Sequence, residues 1–139
     1  MKKIIMLLCA AFLLMGCTKR PKAVEYQVAK NYFFVNNSPR SMSLKMTTEL
    51  EFGKYFGMAA FMGKDGQPTE IDFKKQFVIA KVLPETDTLT HITPLSLTEE
   101  GKTLRLKCKI TRGKKQSYTM QPFVLLIVDR KYIDKEVTE

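Results

Sequence analysis

The strict alternation of side chains between Leu104 and Ile110 constrains the fold of this chain more than any other feature. Apolar or small side chains fall at every second position: Leu104, Leu106, Cys108 and Ile110. Cationic side chains fall between them: Arg105, Lys107 and Lys109. Because successive side chains of a strand point to opposite faces, the pattern predicts a half-buried strand with one solvated cationic face.

Two nearly continuous apolar runs predict strands buried more deeply than this one. Phe77–Leu83 lies between Lys74-Lys75 and Pro84, and Phe123–Val128 is the most apolar run after the N-terminal segment, so we expect it in the centre of a sheet.

Shorter patterns predict the remaining strands and turns. Val24–Val35 is rich in β-branched and aromatic residues and predicts a strand that the turn formers at 36–39 end. Leu89–Leu97 predicts an edge or bulged strand because Pro94 interrupts it. Arg112–Lys115 predicts a hairpin turn, with Gln116–Met120 returning as the partner strand.

A single short helix is predicted after Thr48. Thr48 and Glu51 have the spacing of a capping box, and Phe52, Tyr55 and Phe56 recur on one helical face. Gly57 is then placed as the C-terminal stop.

These elements predict a mainly β protein, α+β only at the margin. Strands joined by tight turns, without regular helices between them, favour an antiparallel sheet. We expect an antiparallel β-sandwich or partly open barrel of six or seven strands with one short early helix. The predicted single domain covers residues 24–133, and residues 134–139 are expected to form a charged, frayed C-terminal tail.

The N-terminus predicts export and lipid attachment. A basic start precedes the apolar run Ile4–Leu14, which spans about 17 Å as a helix and is too short to cross a hydrocarbon core of about 30 Å. Leu14-Met15-Gly16-Cys17 then resembles a bacterial lipobox, in which the cysteine carries the lipid. Residues 1–16 are therefore predicted as a lipoprotein signal peptide and Cys17 as the lipidated residue; the alternative is an ordinary signal peptide or a lone anchor.

The segment after Cys17 predicts a basic tether over residues 17–23. In one interpretation its cations, Lys19, Arg20 and Lys22, lie near anionic lipid headgroups and are attracted to them. In the other, the tether is solvated and its charges only keep it extended. Cys9 leaves with the signal peptide, so Cys108 has no cysteine partner and no internal disulfide is expected. We interpret Cys108 as a small buried apolar residue rather than a reactive thiol.

The inventory of reactive side chains favours a non-enzymatic protein without metal or cofactor. His91 is the single histidine, and although Asp87, Ser96 and Ser117 could be assembled around it, a surface histidine is the preferred interpretation. One histidine and one free cysteine do not supply a metal cage. Glu70 and Asp72 give no indication of a paired-carboxylate site.

A cluster of cations is the strongest binding candidate that the residues offer. Six of them fall between Arg105 and Lys115. Export makes nucleic acid an unsuitable partner, so the candidate anions are lipid headgroups, acidic glycans and proteins. The alternative is a solvated face that prevents edge-to-edge aggregation. Arg105, Lys107 and Lys109 are the candidate anion-binding residues.

Two stretches resemble the C-terminal domain of the PrcB family. They are Glu70-Ile71-Asp72-Phe73 followed by Phe77–Ala80, and Gln116–Thr119 leading into Pro122–Val128. The resemblance covers Thr48–Tyr132. It implies a small exported β-rich domain, often a lipoprotein, linked to a protease complex and binding or restraining proteases.

The chain departs from that family where a Gly-Gly-Tyr-like segment usually follows the strand at Phe77–Leu83. Here the sequence is Pro84-Glu85-Thr86-Asp87-Thr88.

From the lipobox, the missing catalytic inventory and the resemblance, we expect an envelope lipoprotein, at the inner or outer membrane, that binds an unidentified protein, with a protease among the candidates. The loop Pro84–Thr88 and the hairpin Arg112–Ser117 supply most of the candidate partner-binding residues, which are Arg112, Lys114, Lys115, Gln116, Tyr118, Glu85 and Asp87. The alternative function is binding of anionic glycans or lipid headgroups by the basic face.

Overall fold

The computed structural model describes residues 20–35 and 40–139. The predicted signal peptide, Cys17 and the turn formers at 36–39 lie outside the described residues. Within these ranges the chain is mainly β, which confirms the predicted fold class. The strands are β1 Lys22–Ala23, β2 Tyr26–Val28, β3 Tyr32–Phe34, β4 Met42–Met46, β5 Phe56–Met58, β6 Gln76–Val82, β7 Thr86–Glu100, β8 Thr103–Met120, β9 Phe123–Asp129 and β10 Glu136–Thr138. Helix α1 covers Glu49–Tyr55, and a 3₁₀ turn covers Arg130–Tyr132.

The strands form three sheets. The outer sheet has the order β1-β7-β8-β10, the central sheet has the order β2-β9-β6-β4, and the cap sheet pairs β3 with β5. All pairs are antiparallel except β8 with β10. The predicted strand Val24–Val35 is thus wrong as one element: it divides between two sheets, with β2 in the central sheet and β3 in the cap sheet, and Asn31 lies between them with φ at 64°.

The first hydrophobic core lies between the outer and central sheets. Phe77 and Ile79 from β6 and Leu126 from β9 meet Leu97, Leu104 and Leu106 from the hairpin β7–β8, and all six are buried. The apolar half of the Leu104–Ile110 alternation therefore faces the core through Leu106, while Cys108 packs at its margin and Ile110 is exposed.

The second core covers the opposite face of the central sheet. Val78, Ala80 and Leu125 pack there against Phe52 of α1 and Phe56 of β5. β6 and β9 are therefore buried on both faces, which is why their sequences are continuous apolar runs rather than alternating ones. This confirms the predicted burial of both strands and the central position of β9.

Helix α1 begins as its sequence predicts and ends earlier. The hydroxyl of Thr48 accepts a hydrogen bond from the Glu51 N–H at 3.2 Å, and the Glu51 carboxylate accepts one from the N–H of Thr47 at 2.9 Å. The prediction of Gly57 as the helix stop is wrong, because Phe56 is already extended. Gly57 lies in the cap sheet, where a Cβ would come within 2.5 Å of the Phe33 ring, so only glycine fits under that ring without a shift.

The predicted hairpin turn at Arg112–Lys115 is also wrong. β8 runs unbroken through it, and the turn between β7 and β8 is Gly101-Lys102, where Gly101 has φ at 61°. The partner of β8 is β7, not Gln116–Met120: Thr90 pairs with Arg112 and Thr88 with Lys115. β6 and β9 continue the same nested pairing, so residues 76–129 form one long antiparallel ribbon folded back on itself.

The expectation of a frayed, charged C-terminal tail is wrong as well. β10 pairs in parallel with Thr103–Arg105, and Lys81 Nζ lies 2.6 Å from a carboxylate oxygen of Glu139. The hydroxyl of Ser43 donates to the other carboxylate oxygen at 2.7 Å. Residues 134–139 are therefore ordered despite their charges, because the backbone of β10 pairs with β8 and the Glu139 side chain binds Lys81 and Ser43.

Candidate functional site: a ribbon arch

The hairpin β7–β8 extends well beyond the sandwich. Cys108 lies close enough to Lys81 and Glu139 for both to act on its thiol, and Phe123 pairs with Val82. The segment of β8 from Lys109 to Met120 therefore starts and finishes beside the end of β6. Twelve residues of strand would reach about 40 Å if straight, so this segment must arch outward and return.

We name residues 86–93 and 109–120 the ribbon arch. The pairing of β7 with β8 shifts at three places: between Thr86 and Thr88, between Thr88 and Thr90, and between Pro94 and Ser96. Such bulges bend a ribbon and increase its twist, which accounts for the curvature. No residue of the ribbon arch belongs to either buried cluster, although Ile92 packs at the margin of the first core.

The ribbon arch brings together the two segments that the sequence nominated for partner binding. Lys115 Nζ lies 3.4 Å from a carboxylate oxygen of Asp87, and the hydroxyl of Thr119 donates to the Glu85 carboxylate at 2.6 Å. The guanidinium of Arg112 donates to the hydroxyl of Thr90 at 3.2 Å. The segments are thus neighbours, but as paired strands rather than as two loops.

The other nominated residues lie on the same segment of β8. The amide of Gln116 donates to the Lys114 carbonyl at 3.1 Å, and Lys114 is exposed. Tyr118 is 57% exposed. Leu95, Ile110 and Tyr118 are large apolar side chains in solvent on or beside the ribbon arch, and sequence reasoning selected only the last of them. The sequence does contain a pattern typical of the strand that pairs with this part of β8: threonine recurs at every second position, at Thr86, Thr88 and Thr90, and Thr88 and Thr90 pair with Lys115 and Arg112.

The candidate anion-binding residues line the outward face of the outer sheet. Arg105, Lys107 and Lys109 are all exposed, opposite the buried side chains of Leu104 and Leu106. Arg105 forms an ion pair with Glu100 at 3.3 Å, whereas neither Lys107 nor Lys109 has an ion-pair partner among residues 20–35 and 40–139. Their cross-strand neighbours, Ser96 and Thr93, are uncharged.

The thiol of Cys108 is half-buried at the edge of the first core. Burial raises its pKa, the nearby Lys81 lowers it and Glu139 raises it, with a net increase. A raised pKa keeps the thiol protonated near neutral pH and lowers its nucleophilicity, which supports the interpretation of Cys108 as a packing residue.

The side chains considered for nucleophilic catalysis do not converge. His91, Asp87 and Ser96 lie along the single strand β7, which separates His91 from Asp87 by about 13 Å and from Ser96 by about 17 Å. The Asp72 carboxylate accepts a hydrogen bond from the Lys74 N–H and caps a local turn. In the described part of the chain, no group of three or more His, Cys, Asp or Glu residues could hold a metal ion.

Comparison with known proteins gives no relative: no protein family, no curated protein and no solved structure matches the chain. Among the described residues, no helix is both long enough and apolar enough to span a membrane.

Proposed function

We propose that this chain is a non-enzymatic lipoprotein of the cell envelope, anchored by a lipid on Cys17, and that its ribbon arch binds another protein. The observation that carries the proposal is the ribbon arch itself, a curved two-stranded projection outside both cores. It displays an exposed tyrosine, Tyr118, and four cations, of which Lys109 and Lys114 have no ion-pair partner among residues 20–35 and 40–139. Tyrosine and arginine are enriched where proteins bind one another.

The position of β1 indicates how a lipid on Cys17 would orient the domain at the membrane. Lys22 is five residues from Cys17, so the start of β1 lies within about 18 Å of the proposed lipid attachment. Ala23 pairs with Thr98, near the turn at Gly101. A lipid on Cys17 would therefore hold this end of the outer sheet close to the membrane surface.

The ribbon arch lies at the other end of the sandwich. Tyr26, just after β1, pairs with Val128, whereas the ribbon arch leaves the sandwich beside Phe123 at the opposite end of β9. These two positions are about 17 Å apart along the strand. The ribbon arch then extends further, so a lipid anchor at Cys17 would present it to partners rather than bury it in headgroups.

The partner chemistry follows from the surface. The β8 half of the ribbon arch is mostly exposed and offers separated cations and apolar side chains over a long strand. A surface of this kind suits a protein better than a small molecule. The resemblance to PrcB domains makes an envelope protease the first partner to test.

Photo-crosslinking tests the protein-binding proposal. The full chain, carrying a photoreactive phenylalanine analogue at Tyr118, should capture one specific protein in living cells. A matched chain with the analogue at Met62, which is fully exposed outside the ribbon arch, should not capture it. Equal labelling from both positions, or no adduct from Tyr118, would contradict the proposal.

Mass spectrometry tests the anchor. The mature protein should begin at Cys17 and carry the mass of a diacylglyceryl group, and the variant Cys17→Ser should leave the membrane fraction. An unmodified amino terminus at any other residue would overturn the localisation.

A second candidate function is binding of anionic glycans or lipid headgroups by Arg105, Lys107 and Lys109. It is favoured by the absence of any carboxylate partner for Lys107 and Lys109 in the described ranges. It predicts salt-sensitive retention on heparin, because screening weakens exposed charges. Replacing both lysines by glutamate should abolish retention, whereas Lys64→Glu with Lys74→Glu should not; equal elution of the two double variants would refute it.

A further inference from the structure

The outer sheet leaves a long strand edge unpaired. β10 covers only Thr103–Arg105 of β8, on the side away from β7. From Leu106 to Met120 that side of β8 pairs with no other strand in the described ranges, and residues 109–115 are all exposed. A strand edge of this kind can accept an extended polypeptide through main-chain hydrogen bonds.

The opposite edge of the ribbon, on β7, is protected by its own side chains. The hydroxyl of Thr86 accepts from the Thr88 N–H at 3.1 Å, and the hydroxyl of Thr90 donates to the Thr88 carbonyl at 2.8 Å. Pro94 has no N–H to offer, and its carbonyl accepts from the hydroxyl of Tyr26. On β8 the irregularities lie beyond Arg112: extra residues bulge between Arg112 and Lys115 and between Lys115 and Met120, and the Gln116 amide covers the Lys114 carbonyl. From Leu106 to Arg112, β8 pairs with β7 without an extra residue of its own. The two edges are therefore not equivalent, and β8 is the available one.

The charge of the β8 edge selects its occupant. Lys107 and Lys109 point to the outward face, and Arg112, at an even position of the regularly paired part of β8, points to the other face; the bulge between Arg112 and Lys115 breaks the alternation beyond it. A second copy of this chain would set cations against cations across the new pair, which is unfavourable. An added strand with acidic side chains would find a cation on either face.

The chain already docks a short strand on this edge. β10 contains one glutamate, Glu136, which pairs opposite Thr103, and Thr138 pairs opposite Arg105. Beyond Arg105 this side of β8 has no partner strand among residues 20–35 and 40–139. A further strand would therefore continue along an edge that already accepts main-chain pairing.

We propose that the β8 edge between Leu106 and Arg112 binds an extended acidic segment of a partner protein by strand addition. The inference rests on the proposed function and specifies how the ribbon arch and the strand leading into it hold the partner: main-chain hydrogen bonds supply the pairing, and the cations select carboxylates. About seven residues of added strand would span this edge.

Binding of a labelled acidic peptide to the full chain tests the proposal. The probe is a fluorescent octapeptide of repeating Glu-Val-Thr, and its anisotropy should rise on binding. The same peptide with alternate backbone amides methylated cannot complete the pairing and should bind at least tenfold more weakly, as should a peptide with lysine in place of glutamate. In the protein, Lys107→Glu with Lys109→Glu should weaken binding at least tenfold, whereas Lys64→Glu with Lys74→Glu should leave it unchanged.

Each other outcome overturns strand addition. Equal binding of the methylated peptide would show attraction by charge alone, and no anisotropy change with any peptide would show that the edge is closed. Retention of the chain on phosphatidylglycerol vesicles, lost in Lys107→Glu with Lys109→Glu while the peptide fails, would assign the cations to a membrane surface. If the peptide fails but Tyr118 still captures its protein, strand addition falls and the protein-binding role of the ribbon arch remains.

Discussion

Replacing Glu139 by glutamine should destabilise the fold, because its carboxylate ties the C-terminal segment to the central sheet. The carboxylate is hydrogen-bonded to Lys81 and to Ser43, at 2.6 and 2.7 Å. The Lys81 side chain is only 14% exposed, while that of Glu139 is 44% exposed. A glutamine retains the shape of the side chain and removes its charge, so the effect isolates the electrostatic part.

The magnitude follows from that exposure. A hydrogen bond to a charged group contributes about 1.5–3 kcal/mol when well shielded, and partial exposure of the carboxylate reduces this toward the value of a surface pair. We therefore expect Glu139→Gln to lower the free energy of unfolding by about 1 kcal/mol. Lys81→Met should cost less than Glu139→Gln. The charge it leaves unpaired is that of Glu139, which is 44% exposed and keeps its hydrogen bond from Ser43, whereas Glu139→Gln leaves the charge of the 14% exposed Lys81 unpaired.

A double-mutant cycle in urea measures the interaction. Glu139→Gln and Lys81→Met, separately and together, should give a coupling energy of about 1 kcal/mol in the full chain. The exposed pair Lys115–Asp87, with side chains 79% and 44% exposed, serves as the control and should give a coupling near zero. A Lys81–Glu139 coupling no larger than that of the control would refute the reasoning.

The pH dependence gives a second check on the same ion pair. Burial raises the pKa of Glu139, but the hydrogen bonds from Lys81 and Ser43 and the charge of Lys81 lower it, and the net pKa is below that of an ordinary glutamate. The carboxylate therefore stabilises the fold fully above the unfolded pKa of about 4.3, and loses this contribution as the pH falls through the lower folded pKa. The difference in stability between the native chain and Glu139→Gln should be constant near neutral pH and shrink on acidification; a difference independent of pH would contradict the assignment.

Three further substitutions test the packing and are checked by the same urea titration. Thr48→Ala removes the N-cap of α1 and should cost about 1 kcal/mol; an unchanged midpoint would show that the cap is dispensable. Gly57→Ala should cost at most about 1 kcal/mol, because its Cβ meets the far end of the Phe33 ring, which is 48% exposed and can turn away, and Phe33→Ala in the same chain should recover that loss. Leu126→Ala, at the fully buried centre of β9, should cost about 2–5 kcal/mol, whereas Leu95→Ala, at a site 61% exposed, should change little; similar losses at the two leucines would contradict the placement of the first core.

The parts of the fold that the sequence predicts are those governed by local pattern or local burial. The apolar runs in β6 and β9 identify the two strands of the central layer, since both of their faces are covered. The Thr48 cap and the alternation from Leu104 are equally local. Each depends on contacts within a few residues or on a periodicity that solvent imposes.

The failures come from pairings between distant segments. Arg112–Lys115 has the composition of a turn, but a facing strand of threonines holds it extended. The signal for that strand lies in the threonines themselves, more than twenty residues earlier, and not in the segment predicted as a turn. The charges at 134–139 suggest a solvated tail, but the segment finds its partners on β8 and at Lys81, more than thirty residues away along the chain in the first case and more than fifty in the second.

The candidate site was likewise predicted in its residues but not in its strand pairing. Glu85 and Asp87 were selected together with Arg112 and Lys115 because both segments looked like loops. The structure places them side by side as strands, through the Lys115–Asp87 ion pair and the pairing of Thr88 with Lys115. The open edge of β8 could not be predicted, because it depends on where β10 stops.

The single nested ribbon over residues 76–129 has a consequence for the folding rate and its order of events. Once the turn at Gly101 forms, every later pair from Glu100–Thr103 out to Gln76–Asp129 closes only a small additional loop, so zipping can proceed at little entropic cost per step. Folding should therefore nucleate at Gly101 and finish when the two halves of the ribbon collapse onto each other. Substitutions beside that turn should slow refolding, and substitutions in β2 or β10 should chiefly accelerate unfolding.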